Sequence, residues 1–207
     1  PTDGAVHAGC LGSMNARLTF RGTSGHSARP WLAENAIERL IEGLAPVVAH
    51  ERREAVVGGL TFWEVLSVTR IEAGIADNVI PDTATAHLNF RYAPDRSSAE
   101  AVTYLQGLIP AVAELEILGD AAPGAVAIGS PLVPALLEAG ATGIEPKQAW
   151  TNVADFTAAG IDAVNFGPGH PALAHRRDEH VRIDALVHAY ETLRCFLVGP
   201  RPTAPRS

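Results

Sequence analysis

The chain is poor in lysine, cysteine and methionine. Lys147 is its one lysine, Met14 its one methionine, and Cys10 and Cys195 lie near opposite ends. Two distant cysteines exclude a CxxC motif and a disulfide framework, and they suit a reducing compartment. No apolar run has the length of a membrane span, and the first residues show no signal-type segment. The nucleophile elbow, the dinucleotide GxGxxG and the phosphate-binding P-loop are all missing. Positive charge is also short: 16 Lys and Arg stand against 23 Asp and Glu, for a net charge of −7. A phosphate-binding surface needs clustered positive charge, so nucleic acid is not an expected partner. These absences set the expectation of a cytoplasmic protein with neither a membrane nor a nucleic-acid partner.

What remains is a globular composition, 47% hydrophobic and 19% charged over 207 residues. At about 150 residues per domain that is more than one domain and less than two. The chain opens on Pro1 and has no methionine before Met14, so it reads as a piece of a longer protein.

Residues 14–22 alternate, with Met14, Ala16, Leu18 and Phe20 on one face, as a half-buried strand does. A Gly/Ser loop follows over 22–30. Asn35 and Glu38 have capping-box spacing for a helix whose stripe is Ile37, Leu40, Ile41, Leu44 and Val48. Pro46 predicts a kink or an early end. Strands are expected at 65–73, 83–92 and 114–118. A second helix begins at Ser97 and Glu100, with Val102, Leu105, Ile109 and Val112 as its stripe. The order strand, helix, strand, strand, helix, strand over 14–119 is the ferredoxin-like arrangement. It places both helices on one face of an antiparallel sheet and leaves the other face free for a partner.

After an Ala/Gly/Pro linker at 120–131 the pattern becomes α/β. Helices are expected at 131–139, 153–159 and 183–198, with strands near 145–148 and 162–166. Ile183, Leu186, Val187, Tyr190, Leu193 and Leu197 form the stripe of the last helix.

Three places have residue types that carry chemistry. The loop 165–180 holds His170, His175 and His180 with Asp178 and Glu179. Imidazole is a common zinc ligand, and a nearby carboxylate fixes its tautomer; solvated surface histidines are the alternative. Gly25-His26-Ser27 offers an imidazole that steadies an oxyanion, or a connecting loop. Asn78 and Arg91 are a third candidate, Arg91 either as a fork for a substrate carboxylate or as a surface arginine paired with a local acid. Thr151 is a candidate of the same kind.

Three segments resemble one family. They are Gly22-Thr-Ser-Gly-His26-Ser-Ala-Arg-Pro30 with Glu34-Asn35-Ala36-Ile37, Gly74 to Pro81 with Asn89-Phe-Arg91-Tyr, and Leu173-Ala-His175-Arg-Arg-Asp-Glu179. They are similar to the zinc-dependent deacylases and peptidases that include succinyl-diaminopimelate desuccinylase, acetylornithine deacetylase and aminoacylase. The wording is most similar to the actinobacterial-type desuccinylases.

The resemblance implies an α/β fold with an α+β lid. The end of a catalytic segment would lie at 1–13, a ferredoxin-like lid and dimerisation domain at 14–119, and the C-terminal part of a zinc-hydrolase catalytic domain at 120–207. It implies His175 as a metal ligand, His26 as the catalytic lid histidine that commonly reaches across a homodimer, and Asn78, Arg91 and Thr151 as substrate-binding residues. It further implies two Zn²⁺ per site, with Co²⁺ as the alternative metal, and places the other ligands upstream of Pro1. The expected reaction is hydrolysis of an N-acyl amino acid, succinyl-diaminopimelate first, on the route to lysine, with the piece inactive alone. The alternatives are another N-acyl amino acid deacylase or dipeptidase, and a non-catalytic ferredoxin-like dimerisation module.

Overall fold

The computed structural model describes residues 1–199. In chain order its strands are β1 Val6–Ala8, β2 Ser13–Arg21, β3 Gly25–His26, β4 Arg53–Val57, β5 Leu60–Ala73, β6 Val79–Ile80, β7 Thr83–Arg91, β8 Ala113–Ala121, β9 Ile144–Pro146 and β10 Val164–Asn165. Its helices are α1 Ala36–Val48, α2 Ser98–Leu108, α3 Leu132–Ala139, α4 Val153–Ala158 and α5 Ile183–Val198. The chain divides into two compact units. One comprises Leu11–Val56 and Thr61–Pro123; the other comprises Pro1–Cys10, Val57–Leu60 and the described residues from Gly124 to Gly199.

The first unit holds a five-stranded sheet of order β4-β5-β7-β2-β8. Its β2, β5, β7 and β8 run antiparallel in the ferredoxin-like order, as the alternation of 14–22 and 83–92 predicts. The inner face of β2 meets Ala84, Ala86, Leu88 and Phe90 of β7, beneath α1 and α2, in one closed core. Gly43 of α1 lies so close to the Phe20 ring that a Cβ there would collide with it. Ser97 and Glu100 close a full capping box on α2. Asn35 caps α1 by accepting from the Ile37 N–H at 3.0 Å, while its amide donates to Glu38 at 3.1 Å. Pro46 does not end α1, which runs on to Val48. A proline this close to the C-terminus removes one ladder bond of a helix already near its end. Helix α2 stops at Leu108, and Val112 is exposed on the far side of Pro110.

The fifth strand, β4, is absent from the ferredoxin-like expectation. It pairs with a β5 that begins at Leu60 rather than near 65. Gly58 and Gly59 join the two with φ of 59° and 78°. Positive φ at both central residues is the turn that fits the strands' own twist. A buried ion network ties this hairpin down. Glu64 is fully buried and accepts from Arg53 at 2.9 Å, from Arg96 at 3.1 Å and from the Ala93 N–H at 3.2 Å. Arg53 also reaches Asp95 at 2.8 Å. The outer face of the sheet is polar, with Arg17–Glu116 at 2.7 Å and Asn89–Asn15 at 2.9 Å.

The second unit has a three-stranded sheet of order β10-β1-β9, in which β1 is parallel to β9 and antiparallel to β10. Val6, Val133 and Leu136 form its main buried cluster. Helix α5 buries Ala189 and Thr192, while Ile183, Leu186, Tyr190 and Leu197 are exposed. Within the described residues α5 packs through Ala189 and Thr192, and the stripe read from its sequence has nothing opposite it. Among the described residues no helix is long and apolar enough to cross a membrane.

Candidate functional site

The loops around His26 and Asn78, which carry no strand pattern in the sequence, pair with each other. His26 of β3 lies opposite Val79 of β6, and the Ser27 N–H donates to the Asn78 carbonyl at 3.0 Å. The loop is shut at its base by two bonds between Thr23 and Glu34, at 2.8 and 3.0 Å. A Cβ on Gly22 would strike the Glu34 carbonyl, which is why glycine stands there. Arg39 completes the brace, reaching Glu34 at 2.9 Å and the Arg21 carbonyl at 2.7 Å.

His26 is exposed, and its Nδ1 accepts from the Ala28 N–H at 3.1 Å. In the neutral ring the proton therefore sits on Nε2. That atom is a donor fixed in tautomer by the backbone, as stabilising a developing oxyanion requires.

Arg91 lies elsewhere. It ends β7, where its Nε donates to Asn89 Oδ1 at 2.9 Å, with no local acid in that role. The ribbon carrying His26 and Asn78 adjoins the other end of β7, since Pro81 and Asp82 accept from Ala36 and Gly22. Eight residue steps separate Thr83 from Arg91, roughly 27 Å of extended strand. The unit thus brings His26 and Asn78 together and holds Arg91 apart from them.

In the other unit Thr151 precedes α4. Its hydroxyl accepts from Asn165 Nδ2 at 3.2 Å, and its carbonyl accepts from the buried Cys10 thiol at 3.6 Å. Asn165 was not singled out by the sequence; only its place at a strand's C-terminal end marks it. The loop after it is stitched to the start of the chain, with the Thr2 hydroxyl bonded to both polar groups of the Gly167 backbone at 3.0 Å.

His175 is exposed and holds a φ of 65°, a left-handed conformation uncommon outside glycine. Its backbone N–H donates to Glu179 at 3.0 Å, while Asp178 pairs with Arg176 at 2.8 Å. The carboxylates expected to orient the imidazole thus engage the backbone and an arginine. His170 and His180 face a pocket of about 360 Å³ together with Glu179. Among the described residues no three His, Cys, Asp or Glu side chains come together to hold a metal ion. His175 can give one donor, and the described residues do not complete a zinc site.

Comparison with known proteins agrees with this architecture. The peptidase dimerisation domain of the M20 family matches residues 9–115. A Mycobacterium tuberculosis protein provisionally named succinyl-diaminopimelate desuccinylase DapE is 41% identical over 96% of this chain and 56% of its own length. The succinyl-diaminopimelate desuccinylase of Corynebacterium glutamicum is 38% identical over 95% of this chain and 55% of its own. The chain thus spans about half the length of these curated relatives. In fold it is similar to the dipeptidase Dug1p of Saccharomyces cerevisiae, at a TM-score of 0.73 and 13% identity over 93% of this chain and 55% of that one. It is likewise similar to an M20 metallo-carboxypeptidase of Sulfolobus solfataricus, at 0.66 and 18% over 93% and 60%. With its sheet order, its lid-like unit and these relatives in agreement, the chain belongs to the M20 peptidase family.

Proposed function

We propose that this chain supplies the lid and the C-terminal catalytic segment of an amide hydrolase that releases succinate from N-succinyl-diaminopimelate, in the cytoplasm and on the route to lysine. The observation that carries this reading is the 38% identity with the Corynebacterium glutamicum desuccinylase over 95% of the chain. The geometry supports it. His26 presents an Nε2–H donor whose tautomer is set by the Ala28 N–H, suited to the oxyanion of a tetrahedral intermediate. Asn78 is held beside it. Arg91 offers a fork for a substrate carboxylate, and Thr151 a hydroxyl already oriented by Asn165.

His26 and Arg91 are too far apart on one lid to serve one small substrate. A homodimer through the dimerisation domain removes that difficulty: one copy's His26 and Asn78 would complete a site holding the other copy's Arg91. A zinc ion, when bound, would polarise the amide carbonyl and acidify water. His175 would give it one imidazole, and its other donors would come from outside the described residues.

The test is an assay, by mass spectrometry, of a protein of the relatives' full length that contains this chain. Succinate release from N-succinyl-diaminopimelate should exceed hydrolysis of N-acetylornithine and of dipeptides. His26→Ala should lower kcat by about 10²–10³-fold, the weight of an oxyanion donor, with zinc content unchanged. The 207-residue chain alone should show no turnover. Preferred cleavage of dipeptides, or no hydrolysis by the longer protein, would overturn the reading, the latter in favour of a non-catalytic dimerisation module.

A further inference from the structure

Among the described residues nine arginines form ion pairs with carboxylates. The single lysine does otherwise. Lys147, just beyond β9, is half-buried, and its Nζ donates to the Pro1 carbonyl at 3.3 Å. Among the described residues it forms no ion pair. It opens onto a pocket of about 380 Å³ lined also by Thr2, Asn165 and residues 166–168.

Two neighbours sharpen the character of this pocket. Asn165 uses one amide N–H on Thr151 and has a second to give. His7, paired in register with both Asn165 and Glu145, is 4% exposed, and neither ring nitrogen makes a hydrogen bond. The Glu145 carboxylate stands 3.3 Å from His7 Nε2, itself mostly in solvent. Burial pushes the His7 pKa down, and the Lys147 charge pushes it the same way, so its ring is neutral at neutral pH. Of the side chains lining this space Lys147 is the cationic one, partly stripped of water and without an ion-pair partner among the described residues; the Pro1 amino group lines the same pocket, and its like charge opposes that of Lys147. Lys147 therefore gains more from an incoming anion than a solvated lysine does.

We propose that Lys147 is a carboxylate-binding residue, and that the pocket it shares with Thr2 and Asn165 receives the anionic end of a dicarboxylate acyl group. The choice of acyl group rests on the hydrolase reading above; the anion site does not.

Because Lys147 is the only lysine, reductive ¹³C-methylation labels one ε-amine besides the amino terminus. Succinate titrated into the 207-residue chain should shift the lysine methyl signal and the Asn165 side-chain amide saturably. Succinamide, the neutral isostere, should shift neither. Lys147→Gln should weaken succinate binding about tenfold or more, the weight of one charge-assisted hydrogen bond, with the melting temperature as a check on folding. An unmoved lysine signal, or shifts equal for succinate and succinamide, would overturn the proposal even if the variant failed to fold. Equal affinity in a folded Lys147→Gln chain would do the same. Succinate binding here combined with no succinyl hydrolysis by the longer protein would leave the site standing and remove the reading.

Discussion

The two units treat their apolar residues in opposite ways. In the unit built on β2, Met14, Ala16, Leu18 and Phe20 are sealed against β7 and beneath α1 and α2. The polar residues of the same strands face outward, where Arg17 and Glu116 neutralise each other. In the other unit three short strands bury Val6, Val133 and Leu136, while α5 turns Ile183, Leu186, Tyr190 and Leu197 to the outside. The same amphipathic signal is covered in one unit and, within a chain that spans about half the length of its curated relatives, uncovered in the other. A stripe is buried only when an element of matching shape lies opposite it, and periodicity reports the stripe without the element.

The sharpest way to break this contrast is at Glu64. It is fully buried between two arginines, and its removal leaves Arg96 without a carboxylate and Arg53 with Asp95 alone. Glu64→Ala should cost about 3–5 kcal/mol in urea denaturation. Burial alone would raise the Glu64 carboxyl, but the bonds from Arg53, Arg96 and the Ala93 N–H outweigh it and hold it below the ordinary carboxylate range. A depressed folded pKa gives stability that is present above the unfolded value of about 4.3 and is lost as the pH falls through the folded one. Wild-type stability should therefore drop on acidification below about pH 4, and Glu64→Gln should flatten that drop.

Next comes the closed core. Leu88→Ala, at a position with no exposure, should cost about 2–5 kcal/mol by the same measurement. Ser97→Ala removes the capping box of α2 and should cost about 1 kcal/mol. The smallest effect should come from α5. Ile183 is 81% exposed, and Ile183→Ser should change the stability of the chain by no more than about 0.5 kcal/mol. A cost for Ile183→Ser equal to that for Leu88→Ala would erase the distinction between the units.

Much of the fold is legible in the chain. The alternation of 14–22 and 83–92 gives two central strands, and Ser97 with Glu100 marks the start of α2 within one residue. The start and end of α5 also match its periodic run. The missed hairpin had a signal in Gly58-Gly59, a pair suited to two consecutive positive φ angles. Glu64 had none, because a buried carboxylate reads as a surface break in a strand until its arginines, 11 and 32 residues away, are brought to it.

The candidate site divides along the same line. Residue type and local wording select His26, Asn78, Arg91, Thr151 and His175. That His26 and Asn78 meet depends on two-residue strands, too short for any period to reveal. Arg91 stands at the far end of β7 from them because the strand between is nine residues long.

By itself the sequence determined what local chemistry dictates: strand and helix periods, helix caps, the scarcity of lysine and the absence of membrane-length apolar runs. Only the tertiary structure decided which stripes are covered, which histidine tautomer is held, and which charges lose their water. Those outcomes depend on groups distant in the chain, since burial and pairing energies come from neighbours in space.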